Sequence, residues 1–180
     1  GKWTIYHVNG KKAAQGAVIG FNAAKSHRIV DMLEDHILRP ELFDLVAPLR
    51  TLLGELLPPR RAGEVQMTLI DQGIDLLLKG VEPEGYESME TLTGFCARNR
   101  IARLSIDQGM GSDTLYEPVP ATITLSSVSV GFPVGGFLQA TADGEAALIA
   151  SVKDAASDAG RTADLFAALG TFALALPGKV

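Results

Sequence analysis

The chain has one cysteine, Cys96, in 180 residues. That count excludes an intrachain disulfide and any zinc or iron–sulfur site built from cysteines of this chain. A reducing, cytoplasmic setting is the expectation. Long apolar runs are also missing. None reaches the roughly 18–20 residues that a membrane-spanning helix needs, so no membrane partner is expected. A signal peptide is not what opens the chain, because Lys2-Trp3-Thr4-Ile5 already alternates like a strand. The dinucleotide fingerprint Gly-x-Gly-x-x-Gly is absent, which argues against other Rossmann-type enzymes. There is no convincing internal repeat and no low-complexity segment. With 47% hydrophobic and 21% charged residues, the composition is that of a folded protein.

Acidic residues are missing from positions 1–30, which hold Lys2, Lys11, Lys12, Lys25 and Arg28. The other 11 of the 16 basic residues stand against all 21 acidic ones, and the net charge is −5. Such a balance argues against a generic nucleic-acid binder, which is usually basic. A basic stretch on an acidic body is nevertheless compatible with RNA, and Lys11, Lys12, Lys25 and Arg28 are candidate contacts. The plainer alternative is solvated surface lysines. His7, His27 and His36 make no spaced catalytic set with Cys96. Cys96 lies beside Phe95 in an apolar stretch and reads as a buried structural cysteine.

Periodicity predicts the elements. Trp3–Val8 alternates as a half-buried strand, and Asn9-Gly10 is a hairpin signal leading to a returning strand over 15–21 and a third over 28–30. Leucines from 42 to 57 recur at helical spacing and predict one helix over 40–57, ended by Pro58-Pro59. Strands over 64–70 and 74–79 flank Asp71-Gln72-Gly73 as a second hairpin. A helix over 87–99 turns Met89, Leu92, Phe95 and Cys96 inward. A strand over 101–106 follows, then two short strands around 114–117 and 121–130. Residues 1–134 thus predict an α+β domain of antiparallel strands with two helices on one face.

The pattern changes near Gly135-Gly136. Residues 141–159 predict a helix, capped by Thr141 or Asp143 and stopped by Gly160. A short buried strand over 162–166, a turn at Gly170 and a second helix over 171–176 come next. Helix, strand, tight loop, helix is how a Rossmann-like α/β domain begins, and 135–180 is assigned to one. In Asp164-Leu-Phe-Ala-Ala-Leu-Gly-Thr-Phe172, Gly170 lets backbone approach a ligand, and a helix N-terminus offers N–H groups to a carboxylate. Upstream, Gly136-Phe-Leu-Gln139 sets a ring that can stack on a flat base beside an amide that can read its edge.

These two motifs, about two dozen residues apart, resemble those of RNA uracil-C5 methyltransferases that use S-adenosylmethionine. Further pieces resemble that family in the same order: Gly20-Phe21, then Ser26-His27-Arg28-Ile29-Val30-Asp31, then Ile37-Leu38-Arg39-Pro40-Glu41-Leu42. The resemblance runs from about residue 3 to 176. It implies a methyl transfer to C5 of a uridine in ribosomal or transfer RNA. It implies Phe137 and Gln139 as contacts to uracil, and Gln139, Asp164, Phe166, Gly170 and Thr171 as contacts to the cofactor.

Departures carry expectations too. Ala168 stands where the family has a second glycine. Many members hold an iron–sulfur cluster on four cysteines. The fourth falls near Asp35 or His36, so no cluster and no other metal is expected here. In the family a cysteine thiolate adds at C6 of uracil and a base removes the C5 proton. Both groups are expected beyond Val180. Gly1 and Val180 then read as the ends of an excised piece, inactive by itself, with weak or no cofactor affinity. Its incomplete parallel sheet would leave an edge open to self-association. The competing reading is a non-catalytic RNA-binding or interaction module.

Overall fold

The computed structural model describes residues 3–13, 16–26, 28–58, 60–139 and 141–176, with side chains from Ala17 onward. Seven strands form one sheet in the order β3-β2-β1-β4-β5-β6-β7. They are β1 (Trp3–Ala13), β2 (Gly16–Asn22), β3 (Ile29–Asp31), β4 (Ala62–Ile70), β5 (Gly73–Lys79), β6 (Ile101–Asp107) and β7 (Ser112–Tyr116). A separate hairpin pairs β8 (Thr122–Leu125) with β9 (Val128–Gly131). The helices are α1 (Pro40–Phe43), α2 (Val46–Leu56), α3 (Gly85–Arg98) and α4 (Ala142–Ala155). The α+β class holds, with four corrections in detail.

First, the sheet is mixed. β5 and β6 run parallel, because the 14-residue helix α3 carries the chain back to the starting end of β5. Second, Asn9-Gly10 is no hairpin turn. β1 is a central strand whose Asn9 pairs with both Val18 and Ala62, and its register shifts between Asn9 and Ala13. Gly10 falls in that irregularity, as glycine in a strand interior often does. Residues 14–15, between β1 and β2, lie outside the described residues. Third, the 40–57 helix is two. Pro48 lacks an N–H, and its ring would clash with the carbonyl four residues back, at Asp44. The chain therefore breaks at Asp44-Leu45 and restarts, with Pro48 tolerated in the first turn of α2. Fourth, no strand forms over 162–166 and no α-helix over 171–176. The segment is a series of turns ending in a 3-10 helix at Ala173–Ala175. A strand needs a ladder partner for its N–H and C=O groups, and the described residues supply none there. The sheet edge expected to drive self-association is therefore not formed by this segment.

The core lies between the sheet and α1–α3. Val65 and Met67 of β4, Leu76 and Leu78 of β5 and Leu104 of β6 meet Leu42, Leu49, Leu53, Leu92, Phe95 and Cys96. The opposite face of the sheet carries a second cluster. There Ile70 of β4 and Ala102, which falls at the register shift between β5 and β6, meet Ala121, Ile123, Leu125, Phe132 and Leu138. The middle strands are consequently buried on both faces. Helix α4 has no buried residue; Thr141 caps it by accepting a hydrogen bond from the Gly144 N–H at 3.1 Å.

Candidate functional site

Phe137 and Gln139 sit on a short cap that crosses the second face of the sheet. Phe132 and Leu138 are its apolar anchors, both buried in the second cluster. Alternation along the extended chain sends the neighbours of Leu138 the other way, leaving Phe137 60% exposed and Gln139 half-buried. Between the anchors the Gly136 N–H donates to the Pro133 carbonyl at 3.0 Å and closes a turn. Gly135 makes the descent onto the sheet possible. Its φ is +68°, and a Cβ there would lie 3.4 Å from Leu77 and 3.8 Å from Gln66 Oε1. The cap also takes a backbone bond from the loop ahead of β8, where the Phe132 N–H donates to the Ala121 carbonyl at 2.9 Å.

Under the cap lies an ion pair that sequence reading missed. Arg103 Nε donates to Asp75 Oδ1 at 2.7 Å, and Arg103 Nη1 donates to the Phe132 carbonyl at 2.7 Å. Both side chains are more than nine-tenths buried. Glu117 Oε1 stands 3.6 Å from Nη1 and accepts from the Ala121 N–H. Burial pushes the Asp75 carboxyl above its ordinary range, and the Arg103 guanidinium pulls it back. A signal was present: one acid and one base each interrupt an apolar strand, in Ile74-Asp75-Leu76 and Ala102-Arg103-Leu104.

Apart from Gln139, which sits on the cap, the expected cofactor residues are gathered in one loop, 164–172, but not as a prepared pocket. Asp164 Oδ2 accepts from the Ala173 N–H at 3.1 Å and so closes the loop. Leu165 and Phe166 are exposed rather than buried in a strand. Gly170 has φ +81°, and a Cβ would meet Leu174 at 3.3 Å. Thr171 is half-buried beside it. The three-residue 3-10 helix after it is too short to present an anion site. These residues do not fit S-adenosylmethionine as they stand. Ala168 holds φ +49°, a left-handed conformation that glycine adopts without strain.

Along the backbone the basic residues fall in two groups. Lys11 and Lys12 lie in β1 near its junction with β2, whereas Lys25 and exposed Arg28 flank the turn after β2. Seven residues of β2 separate the two groups, about 20 Å at strand rise. His27 is outside the described residues. Asp35 accepts from the Ile37 and Leu38 N–H groups, both at 2.7 Å, and no metal-binding cluster of His, Cys, Asp or Glu occurs among the described residues. Elsewhere an open cleft of about 470 Å³ is bordered by Glu41, Asp44, Asp71, Arg98 and Arg100. Asp71 is already committed to Thr122 and Thr124, and Arg39 holds the Glu41 carboxyl down to about 2. Cys96 is buried in the main core, with its thiol pushed up to about 12.

No model of a protein family matches the chain. Individual proteins do. An "uncharacterized RNA methyltransferase" of Zymomonas mobilis is 47% identical over 163 residues, 91% of this chain and 41% of that protein. One of the same description in Brucella melitensis is 34% identical over 169 residues, 94% of this chain and 40% of that protein. A 23S rRNA (uracil(1939)-C(5))-methyltransferase of Bordetella avium is 31% identical over 106 residues, 59% of this chain and 22% of that protein. The chain spans about two fifths of the length of the first two relatives. Its relatives are thus RNA methyltransferases by name, and the chain matches them as a fragment of that family would.

Proposed function

We propose that this chain is the part of an RNA uracil-C5 methyltransferase that presents the target uridine to the methyl-transfer site. The observation that carries this reading is the match to RNA methyltransferases along 91% of the chain, together with a match to a uracil-C5 enzyme along 59% of it. The cap geometry supports the roles of two residues. Exposed Phe137 offers a ring for the uracil face, and Gln139 offers an amide for its edge. Both flank a buried anchor and so hold a fixed separation. Ribosomal RNA is the substrate that the Bordetella relative's name favours, with transfer RNA the second candidate, and the cytoplasm is where either is met.

The methyl donor proposed for the whole protein is S-adenosylmethionine, which supplies an electrophilic methyl group. Loop 164–172 and helix α4 are proposed as the opening of its Rossmann-like domain. In this reading, residues 1–134 form the α+β domain and 135–180 the start of the methyltransferase domain. The bond-making steps fall to residues outside these 180. Cys96, the sole thiol, is buried and protonated and cannot add to uracil C6.

The test is a pair of assays on the 180-residue chain with a uridine-containing rRNA hairpin. Labelled S-adenosylmethionine is expected to leave the RNA unmethylated. In titrations, Phe137→Ala is expected to weaken RNA binding about ten-fold, in line with roughly 1–3 kcal/mol per stacked base, and Gln139→Ala about five-fold, in line with roughly 0.5–1.5 kcal/mol for a lost hydrogen bond. Methylation by the chain alone refutes the division of labour. Unchanged affinity in both variants refutes the assignment of the uridine contact.

A further inference from the structure

We propose that Arg103, held by Asp75, is the positioning residue that fixes Phe137 and Gln139 in place. This inference rests on the proposed uridine-presenting role and names what sets its geometry. Three observations converge. Arg103 and Asp75 sit side by side on the parallel strands β6 and β5, which are buried on both faces. A guanidinium has several donors in a fixed fork, so one residue can hold two partners at once. Here Nε holds Asp75 at 2.7 Å while Nη1 holds the Phe132 carbonyl at 2.7 Å, and the Arg103 Cζ lies 5.9 Å from the centroid of the Phe132 ring. The carbonyl it grips lies just ahead of the Pro133–Gly136 turn, which leads into Phe137-Leu138-Gln139.

An ion pair this deep is not explained by stability, because taking two charges out of water offsets most of their attraction. A well-packed apolar pair would serve the core as well. What an apolar pair lacks is a donor for the Phe132 carbonyl. The same Nη1 lies 3.6 Å from Glu117 and so adds the loop before β8, whose Ala121 both donates to Glu117 and accepts from the Phe132 N–H. Arg103 therefore ties the rigid sheet to both sides of the cap. Lysine could reach one partner but not span two.

The experiment compares three forms of the 180-residue chain by amide hydrogen exchange and nitrogen-15 NMR. Arg103→Met alone strands a buried carboxylate, so the informative variants are the double Asp75→Leu/Arg103→Met and the single Arg103→Lys. Expected in both is at least ten-fold faster exchange at the Phe132 and Gly136 N–H groups, with shifted or broadened Gln139 side-chain amide signals. Leu76, Leu78 and Leu104 in the sheet keep their wild-type protection. If the double variant does not fold, Arg103→Lys decides alone. Wild-type exchange at Phe132 and Gly136 with unmoved Gln139 signals, in a folded variant, overturns the proposal. Failure of the wild-type chain to bind the uridine hairpin overturns the functional reading instead, and the exchange result still stands by itself.

Discussion

Raising the pH above 9 tests what the core does to Cys96. The side chain is 1% exposed, packed in the cluster of Leu92, Phe95 and Leu104. Burial raises its thiol from the ordinary 9.0 to about 12. The native state thus holds the proton longer than the unfolded state does, so stability is full below pH 9 and falls as pH rises toward 12. Holding the proton over that whole range corresponds to about 4 kcal/mol, of which less than about half a kcal/mol is lost by pH 9 and about 1 kcal/mol by pH 10. Urea unfolding at pH 7, 8, 9 and 10 measures this, with Cys96→Ala as the reference. The two proteins differ only at residue 96, so the difference between their curves isolates the thiol. The expected result is a constant offset up to pH 8 and a narrowing gap above it. A thiol reagent at pH 8 is expected to label the native protein at least a hundred times more slowly than the urea-unfolded chain. Parallel stability curves through pH 10, or fast native labelling, refute the burial argument and reopen Cys96 as a nucleophile.

Two further outcomes follow from the cap and the loop. Leu138→Ala removes the anchor between Phe137 and Gln139, and is expected to cost about 2–4 kcal/mol in urea unfolding and to weaken RNA binding as well. Ala168→Gly relieves a left-handed alanine and is expected to stabilise the chain slightly, by up to about 1 kcal/mol after the entropy of the added glycine. A destabilised Ala168→Gly protein by thermal unfolding would show that the loop conformation is not strained at that position.

Where the sequence could be read, one strong local signal sufficed. The β4–β5 hairpin is one case, with Asp71-Gln72 between strands of matched alternation. The inward face of α3 is another, set by Leu92, Phe95 and Cys96 at helical spacing. Misreadings came where tertiary context outweighed a local rule. Asn9-Gly10 carries the commonest hairpin dipeptide, yet β1 has a neighbour on each side and runs through it. The β8–β9 turn shows the converse. Ser126 and Ser127 both take positive φ, +46° and +68°, the arrangement of a tight hairpin turn that Asn-Gly usually marks, so 121–130 reads as one strand. Pro48 was legible and outweighed by the leucine periodicity around it. For the candidate site, Phe137 and Gln139 were found by motif, while their support was not. Asp75 and Arg103 are 28 residues apart and meet only because α3 makes β5 and β6 parallel neighbours. The loop 164–172 failed as a strand–helix for a related reason: parallel pairing is supplied by distant chain, and no local pattern contains it.

Photo-crosslinking tests the central claim most directly. A uridine-containing rRNA hairpin carrying 4-thiouridine at the candidate target is irradiated with the 180-residue chain, and the adducts are mapped by mass spectrometry. Attachment is expected within 137–139, lost in Phe137→Ala and retained when Lys25 and Arg28 are both replaced by Ala. Attachment confined to the ends of β2, unaffected by Phe137→Ala, contradicts the uridine-presenting role.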